Sequence, residues 1–378
     1  MDFIDLKTQQ SRLQPGLDEA IARVLQHGQY IMGPEVADLE SKLCIFSGVK
    51  HSISCANGTN ALALVLLAKK IGPGDAVFIP SFTFAATAEV VVLLGATPVF
   101  VDVEADTFNM SPESLLQSIE AIKKTSLRIA AIITVDLFGQ TADYANIKAI
   151  ATEYSAFLIA DAAQSFGAYY QNQRVGTLAD CSTTSFFPAK PLGCYGDGGA
   201  IFTNDAELNE VIRSLRVHGQ GSNRYENIRI GLNGRLDTLQ AAILLQKLCI
   251  FEDEIARRQI VASRYEAGLS SYVTTPTVSH GNVSVWAQYT IVIEQRDNLA
   301  VQLKLLGIPT MIYYPNPMHV QAPYRHFPQA PLGLPTTERL AKHVLSLPMH
   351  PYLEEEAQQL IISTIKQVLK EQPAILVA

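Results

Sequence analysis

Features that would assign this chain at a glance are mostly missing from it. Its five cysteines, Cys44, Cys55, Cys181, Cys194 and Cys249, are odd in number and show no CxxC spacing, which argues against a disulfide framework and a zinc site. Reduced, mostly buried thiols are expected, and no metal is called for. Excess basic charge is absent as well: 29 Lys and Arg stand against 36 Asp and Glu, a net charge of −7. That balance argues against nucleic acid or an anionic membrane as partner, so any bound phosphate must be held locally by backbone amides and a few placed cations. The first residues, Met1-Asp2-Phe3-Ile4-Asp5-Leu6, contain no basic segment leading into an apolar one. The most apolar stretch, residues 84–101, is interrupted by Glu89, Gly95 and Pro98, and does not read as a membrane span. A cytoplasmic location is expected. Neither an internal repeat nor a low-complexity tract is visible.

What is present is a rhythm. Among 378 residues, 48% of them hydrophobic, short β-rich runs at 51–54, 76–79, 98–101, 129–135, 156–160, 182–187 and 200–203 alternate with helical patterns. Those helical patterns fall at about 58–70, 85–94, 112–123, 143–154 and 205–216. The central runs are continuously apolar, as strands covered on both faces are. The expectation is an α/β domain with a mostly parallel sheet flanked by helices, whose ligands collect beyond the carboxyl ends of the strands. Residues 236–268 read as one long helix bridging to a smaller α+β domain. There, strands are expected at 285–293 and 310–314 and helices at 296–306, 336–346 and 353–370. The division expected is 1–250 for the large domain and 251–378 for the small one.

Four strand-end loops carry the candidate chemistry. Asp161 closes the run Ala156-Phe157-Leu158-Ile159-Ala160, and Lys190 follows 29 residues later in Ser185-Phe186-Phe187-Pro188-Ala189-Lys190. A carboxylate that keeps a pyridine nitrogen protonated and an amine that forms a Schiff base with an aldehyde are two fixed points that pyridoxal phosphate needs. In Asn57-Gly58-Thr59, Gly58 allows close backbone approach, and the helix-start amides with the Thr59 hydroxyl suit a phosphate. Phe84 offers an aromatic face for a flat ring. Gln164, three positions beyond Asp161, is within reach of a ring oxygen, and Ser185 is a further phosphate donor. Taken singly, each has an ordinary explanation as a cap, a turn or a core side chain.

Taken in order, these loops resemble the sugar aminotransferases of the pyridoxal phosphate fold type I superfamily, the DegT/DnrJ type. The most specific stretches are Asn57-Gly58-Thr59, Pro80-Ser81-Phe82-Thr83-Phe84, Asp161-Ala162-Ala163-Gln164-Ser165, Ser185 through Lys190, Gly196-Asp197-Gly198-Gly199-Ala200 and Gly231-Leu232-Asn233-Gly234-Arg235-Leu236-Asp237. The resemblance implies a PLP enzyme in which Lys190 and Asp161 are catalytic, Phe84 stacks on the cofactor ring and Gln164 meets its phenolic oxygen. Gly58, Thr59 and Ser185 would hold the phosphate. It also implies a homodimer with shared active sites, Asn233 reaching the phosphate of the neighbouring subunit and Arg235 standing beside it for an incoming carboxylate. A guanidinium suits that task on its own chemistry, because it grips carboxylates in bidentate fashion.

Within the family the chain is most similar to the members that aminate C3 of UDP-2-acetamido-2-deoxy-3-oxo-glucuronate with L-glutamate, releasing 2-oxoglutarate, for bacterial surface polysaccharide such as O-antigen. Residues 186–205, 233–245, 287–290 and 347–353 carry that similarity, with Asp197 standing where many 4-keto-sugar enzymes have Glu. The chain departs at Tyr313-Tyr314-Pro315, where His-Tyr-Pro is expected. His218, Tyr313, Tyr314 and His319 are candidate sugar contacts. The competing expectations are amination at C4 and a regulatory protein on the same scaffold.

Overall fold

The structure, a computed structural model, describes residues 1–223 and 225–371. Three helices lead in: α1 (Leu6–Arg12), α2 (Gly16–His27) and α3 (Pro34–Ser47). Strands and helices then alternate through β1 (His51–Cys55), α4 (Gly58–Ala68), β2 (Asp75–Pro80), α5 (Ala86–Leu93), β3 (Thr97–Val101), α6 (Pro112–Ile122), β4 (Arg128–Val135), α7 (Tyr144–Glu153) and β5 (Phe157–Asp161). A small hairpin, β6 (Tyr169–Tyr170) and β7 (Gln173–Arg174), precedes β8 (Cys181–Ser185), β9 (Gly199–Thr203) and α8 (Ala206–Leu215). The remainder comprises α9 (Thr238–Leu248), α10 (Phe251–Leu269), β10 (Tyr289–Val292), α11 (Arg296–Leu305), α12 (Pro335–His343), β11 (Val344–Leu347) and α13 (Glu355–Glu371).

Seven strands form one sheet in the order β1-β9-β8-β5-β4-β2-β3. All neighbouring pairs from β8 to β3 are parallel, and β9 runs antiparallel between β1 and β8. The continuous apolar runs have a direct cause. Successive strand residues point to opposite faces, and each face has its own core. Phe78, Ile132, Leu158 and Phe202 pack with α3, α6 and α7 on one side. Val77, Ile79, Ile133, Ile159 and Ile201 pack with α4, α5 and α8 on the other. Because β1, β2, β4, β5 and β8 share a direction, their carboxyl ends open onto one edge, where the loops at residues 56–58, 81–84, 136–139, 161–165 and 185–190 gather.

Beyond Phe251 a second core forms from α10, α11, α13, β10 and β11, around Tyr265, Tyr289, Leu303 and Ile365. Residues 316–334 return to the large sheet: Phe100 N–H donates to the Pro328 carbonyl at 2.9 Å, and Ala330 N–H to the Phe100 carbonyl at 2.9 Å. Met318, Tyr324 and Leu334 join the core of α4 and α5.

Four sequence expectations need correction. The single helix over 236–268 is two, α9 and α10, broken at Cys249–Ile250. Neither proline nor glycine marks the break, but Glu252, Asp253 and Glu254 restart the second helix with the acidic first turn that favours an N-terminus. The strand over 285–293 shrinks to β10, because Val285 and Gln288 bond the turn at Phe138 and Gly139 instead of a neighbouring strand. The stretch 310–314 is no strand, touching β11 only through a bridge between Met311 and Ser346. The end of the helix expected at 336–346 is likewise β11. No helix among the described residues is long and apolar enough to cross a membrane.

Candidate active site

Asp161 is the last residue of β5, registered between Val135 of β4 and Thr183 of β8. Its carboxylate is buried and accepts from the Thr87 hydroxyl at 3.2 Å and the Ala163 N–H at 3.2 Å. Burial raises its pKa; the two hydrogen bonds and the charge of Lys190 work against that rise. Lys190 lies in a turn fixed by its own N–H donating to the Phe187 carbonyl at 2.8 Å. Part of its stem is exposed, but the amine is enclosed. Burial lowers its pKa, and the charge of Asp161 pulls the other way. A lysine that parts readily with its proton therefore faces a carboxylate made basic by desolvation.

On the same edge of the sheet, the start of α4 forms a cup. The Asn57 side chain caps the helix by accepting from Asn60 N–H at 2.7 Å, and the amides of Gly58 and Thr59 have no partner among the described residues. Ser185, at the end of β8, closes the cup. A Cβ on Gly58 would lie 2.8 Å from Ser185 Cβ, so only glycine lets the start of α4 meet the end of β8.

Two aromatic rings add to this arrangement. Phe84 is 59% exposed, and its ring lies 6.2 Å from that of Tyr314. Gln164 accepts from Phe138 N–H at 2.7 Å and donates to the Tyr314 hydroxyl at 3.2 Å. Burial pushes the Tyr314 phenol well up. Next to these rings opens a cavity of about 590 Å³ lined by Thr83, Phe84, Tyr314, Asn316 and Gln321. A larger one, about 850 Å³, lies at the opposite end of the sheet among Lys69, Arg128, Asp180 and Asp205, away from every strand-end loop of the site.

The remaining candidates are placed elsewhere. His319 is held by Ser81, whose Oγ lies 2.8 Å from Nδ1, and by Glu338 3.3 Å from Nε2; it does not line the 590 Å³ cavity. Tyr313 is half-buried, with its ring 6.5 Å from Phe3. His218 and Asn233 are exposed on an arm over residues 217–233 that returns on itself through bridges Val217–Asn233 and Gln220–Asn227. Arg235 follows, its buried Nε without a partner among the described residues. The base of the arm is fixed to the site: Ala56 N–H donates to the Gly234 carbonyl at 2.9 Å. Sequence reasoning passed over Thr87 and Asp136. Asp136 ends the apolar run of β4 as Asp161 ends that of β5, which is the signal that was available.

The site fits pyridoxal phosphate on its own donors: an acid for the ring nitrogen, an amine for the aldehyde, an exposed aromatic face, and a glycine cradle with free amides for the phosphate. A sheet of this order with such a site defines an aminotransferase dependent on pyridoxal phosphate. The chain belongs to the DegT/DnrJ/EryC1/StrS aminotransferase family, whose profile it matches over residues 13–366. It is 50% identical to the UDP-2-acetamido-2-deoxy-3-oxo-D-glucuronate aminotransferase of Pseudomonas aeruginosa over 366 residues, 97% of this chain and 99% of that one. The crystal structure of a family member from Brucella abortus superposes with a TM-score of 0.96 at 54% identity, covering 97% of this chain and 99% of that one. NtdA of Bacillus subtilis, solved with bound pyridoxamine phosphate, gives a TM-score of 0.86 at 29% identity, covering 98% and 83%.

Proposed function

We propose that this enzyme transfers an amino group from L-glutamate to C3 of UDP-2-acetamido-2-deoxy-3-oxo-glucuronate, for a bacterial surface polysaccharide such as O-antigen, and that it works as a cytoplasmic homodimer. The observation that carries the substrate is the end-to-end likeness to the Pseudomonas enzyme. Pyridoxal phosphate supplies the electron sink and the carbonyl that carries the amino group between substrates. Asp161 holds a proton at the pyridine nitrogen. Gly58, Thr59 and Ser185 bind the phosphate, Phe84 covers one face of the ring, and Gln164 meets its phenolic oxygen. Lys190 Nζ takes the proton from Cα of glutamate and, in the second half-reaction, delivers one to C3 of the sugar. Its depressed basicity suits that exchange, because the neutral amine is the form that accepts a proton.

The dimer rests on the arm. Asn233 is exposed, and Ile228 and Ile230 near it are 54% and 93% exposed, an apolar surface that a second copy of the chain would cover. Asn233 then reaches the partner's phosphate site, and Arg235 receives the carboxylate of glutamate. The sugar lies toward Tyr313 and Tyr314, with His218 and His319 at its margin. Amination at C4 is the competing reading, and the departure at Tyr313 bears on the choice of sugar. A regulatory protein on this scaffold has less support, since the acid, amine and phosphate groups are all in place. Incubation with glutamate and a panel of UDP- and dTDP-linked 3-keto and 4-keto sugars, with the new amine located by NMR, tests the reading. An amine at C4 would overturn the choice of carbon, and no amine on any sugar would overturn the activity.

A further inference from the structure

Directly beside the carboxylate that meets the pyridine nitrogen lies a second acid to which no role has been given. Asp136 is the first residue after β4, fully buried, with its N–H donating to the Asp161 carbonyl at 3.1 Å. Its side chain is fully engaged. Oδ1 accepts from Ala142 N–H at 2.8 Å and from the Tyr144 hydroxyl at 2.9 Å, and Oδ2 accepts from the Ser165 hydroxyl at 2.7 Å. Ser165 belongs to the loop that carries Asp161 and Gln164. Two residues beyond Asp136, Phe138 N–H donates to Gln164 Oε1 at 2.7 Å. The turn after β4 and the loop after β5 are therefore tied twice, once through Ser165 and once through Gln164.

We infer that Asp136 is a positioning residue for transamination. It fixes the loop that presents Asp161 and Gln164 to the cofactor, and its charge adds to that of Asp161 beneath the pyridine nitrogen. The inference rests on the reading that Asp161 meets that nitrogen. The titratable groups facing Asp136 are Tyr144 from α7 and Asp161 from β5, with Lys190 beyond Asp161. Burial lifts the Asp136 carboxyl to about 7, and the neighbouring charge of Asp161 adds to the rise. Two like acids this close respond to each other's charge, and a protonated pyridine nitrogen favours both being ionised. Gln164 and Asp161 touch the cofactor; Asp136 acts through them.

The test uses the purified full chain freed of cofactor and three variants. Asp136→Asn keeps the bonding pattern, because the amide oxygen still accepts from Ala142 and Tyr144 while the nitrogen donates to Ser165 Oγ, but it removes the charge. Ser165→Ala cuts the tie and keeps the carboxyl group, though without the hydrogen bond that favours its ionised form. Asp161→Asn controls for the site itself. Binding of pyridoxal phosphate is read by fluorescence quenching, and the pH midpoint of the bound cofactor's visible absorbance is read by titration. Asp136→Asn is expected to weaken binding by about tenfold, the size typical of groups that orient a ligand-binding residue, and to shift the absorbance midpoint. Ser165→Ala is expected to weaken binding with a smaller shift of the midpoint than Asp136→Asn gives. If Asp136→Asn fails to fold, Ser165→Ala alone decides the positioning role: unchanged binding refutes it. Folded Asp136→Asn protein with wild-type affinity and midpoint, beside an Asp161→Asn variant that has lost both, overturns the inference and leaves the site intact. An Asp161→Asn variant that binds and titrates as wild type overturns the reading of the site.

Discussion

Gly58 opens α4 and Ser185 ends β8, 127 positions apart in the chain, yet a methyl group on Gly58 would stand 2.8 Å from Ser185 Cβ. That contact joins the end of β8 to the start of α4 and makes the cup proposed for the phosphate. Gly58→Ala should therefore push the two apart, at a cost of about 1–3 kcal/mol from overpacking. Pyridoxal phosphate binding should weaken more than global stability does. Comparing cofactor titration with thermal unfolding of cofactor-free protein checks this; a variant with unaltered affinity would show that the cup holds no phosphate.

Glu40 is a second point at which the site depends on remote residues. Its buried carboxylate pairs with Arg216 at 2.6 Å and Arg213 at 2.8 Å, and accepts from Ser54 N–H at 2.9 Å. Arg216 in turn accepts, through its carbonyl, the N–H of Gly234, between Asn233 and Arg235. Burial pushes the Glu40 pKa up, but the two arginines hold it below the usual value. Glu40→Gln leaves buried Arg216 short of a counter-charge and should cost about 3–5 kcal/mol near neutral pH. For a carboxyl with a depressed folded pKa, the stabilisation is complete above the unfolded pKa and is lost as pH falls through the folded one. The gap between wild type and variant should therefore narrow in acid, as denaturant unfolding at several pH values will show.

These two contacts mark where the sequence is legible. Strand ends and loop residues followed from apolar runs and turn chemistry, because burial on both faces and a ligand at the strand ends leave local signatures. The placement of Asp161, Lys190 and Gly58 at strand ends and the loops beyond them was readable for that reason. The tie between Glu40 and Arg216 was not, since it joins residues 176 positions apart and each looks like any charged helix residue. Neither was the break between α9 and α10, which carries no proline or glycine. The stretch at 310–314 is rich in β-forming residues, yet most of its backbone finds no partner strand.

Lys247 predicts a rise of stability with pH in the alkaline range, from a buried charge that destabilises rather than stabilises. It is 1% exposed, lies over the Tyr195 ring at 4.1 Å from its centroid, and its Nζ has no hydrogen-bond partner among the described residues. Burial lowers its pKa from 10.5 to about 8, against the charge of Glu254. Below that value both folded and unfolded chains carry the proton, and enclosing the charge costs stability in full. Between the folded and unfolded values the unfolded chain binds more protons, so stability should rise with pH. Lys247→Met should be more stable than wild type at neutral pH by about 1–3 kcal/mol and should lose that alkaline rise. Urea unfolding from pH 7 upward measures both; a destabilised variant with the rise intact would refute the account.

The arm makes the most discriminating prediction. If Asn233 completes the partner's site, each site draws Lys190 from one chain and Asn233 from the other. Lys190→Ala and Asn233→Ala homodimers should both be impaired, because each has the same defect in both sites. Unfolding and refolding the two variants together gives mixed dimers in which one site has both defects and the other has neither. Random pairing makes half the dimers mixed, so about a quarter of all sites should be restored by the two-fold symmetry of the exchange. Were Asn233 to serve its own chain, every site in the mixed dimer would keep one defect and mixing would restore nothing. Activity of the mixed sample above the mean of the two parents thus supports a shared site, and activity equal to that mean refutes it. The geometry sets the expectation: Asn233 is exposed on its own chain while the adjoining Gly234 carbonyl is bound to Ala56 N–H, so the backbone at the base of the arm is fixed and the side chain is free to face outward.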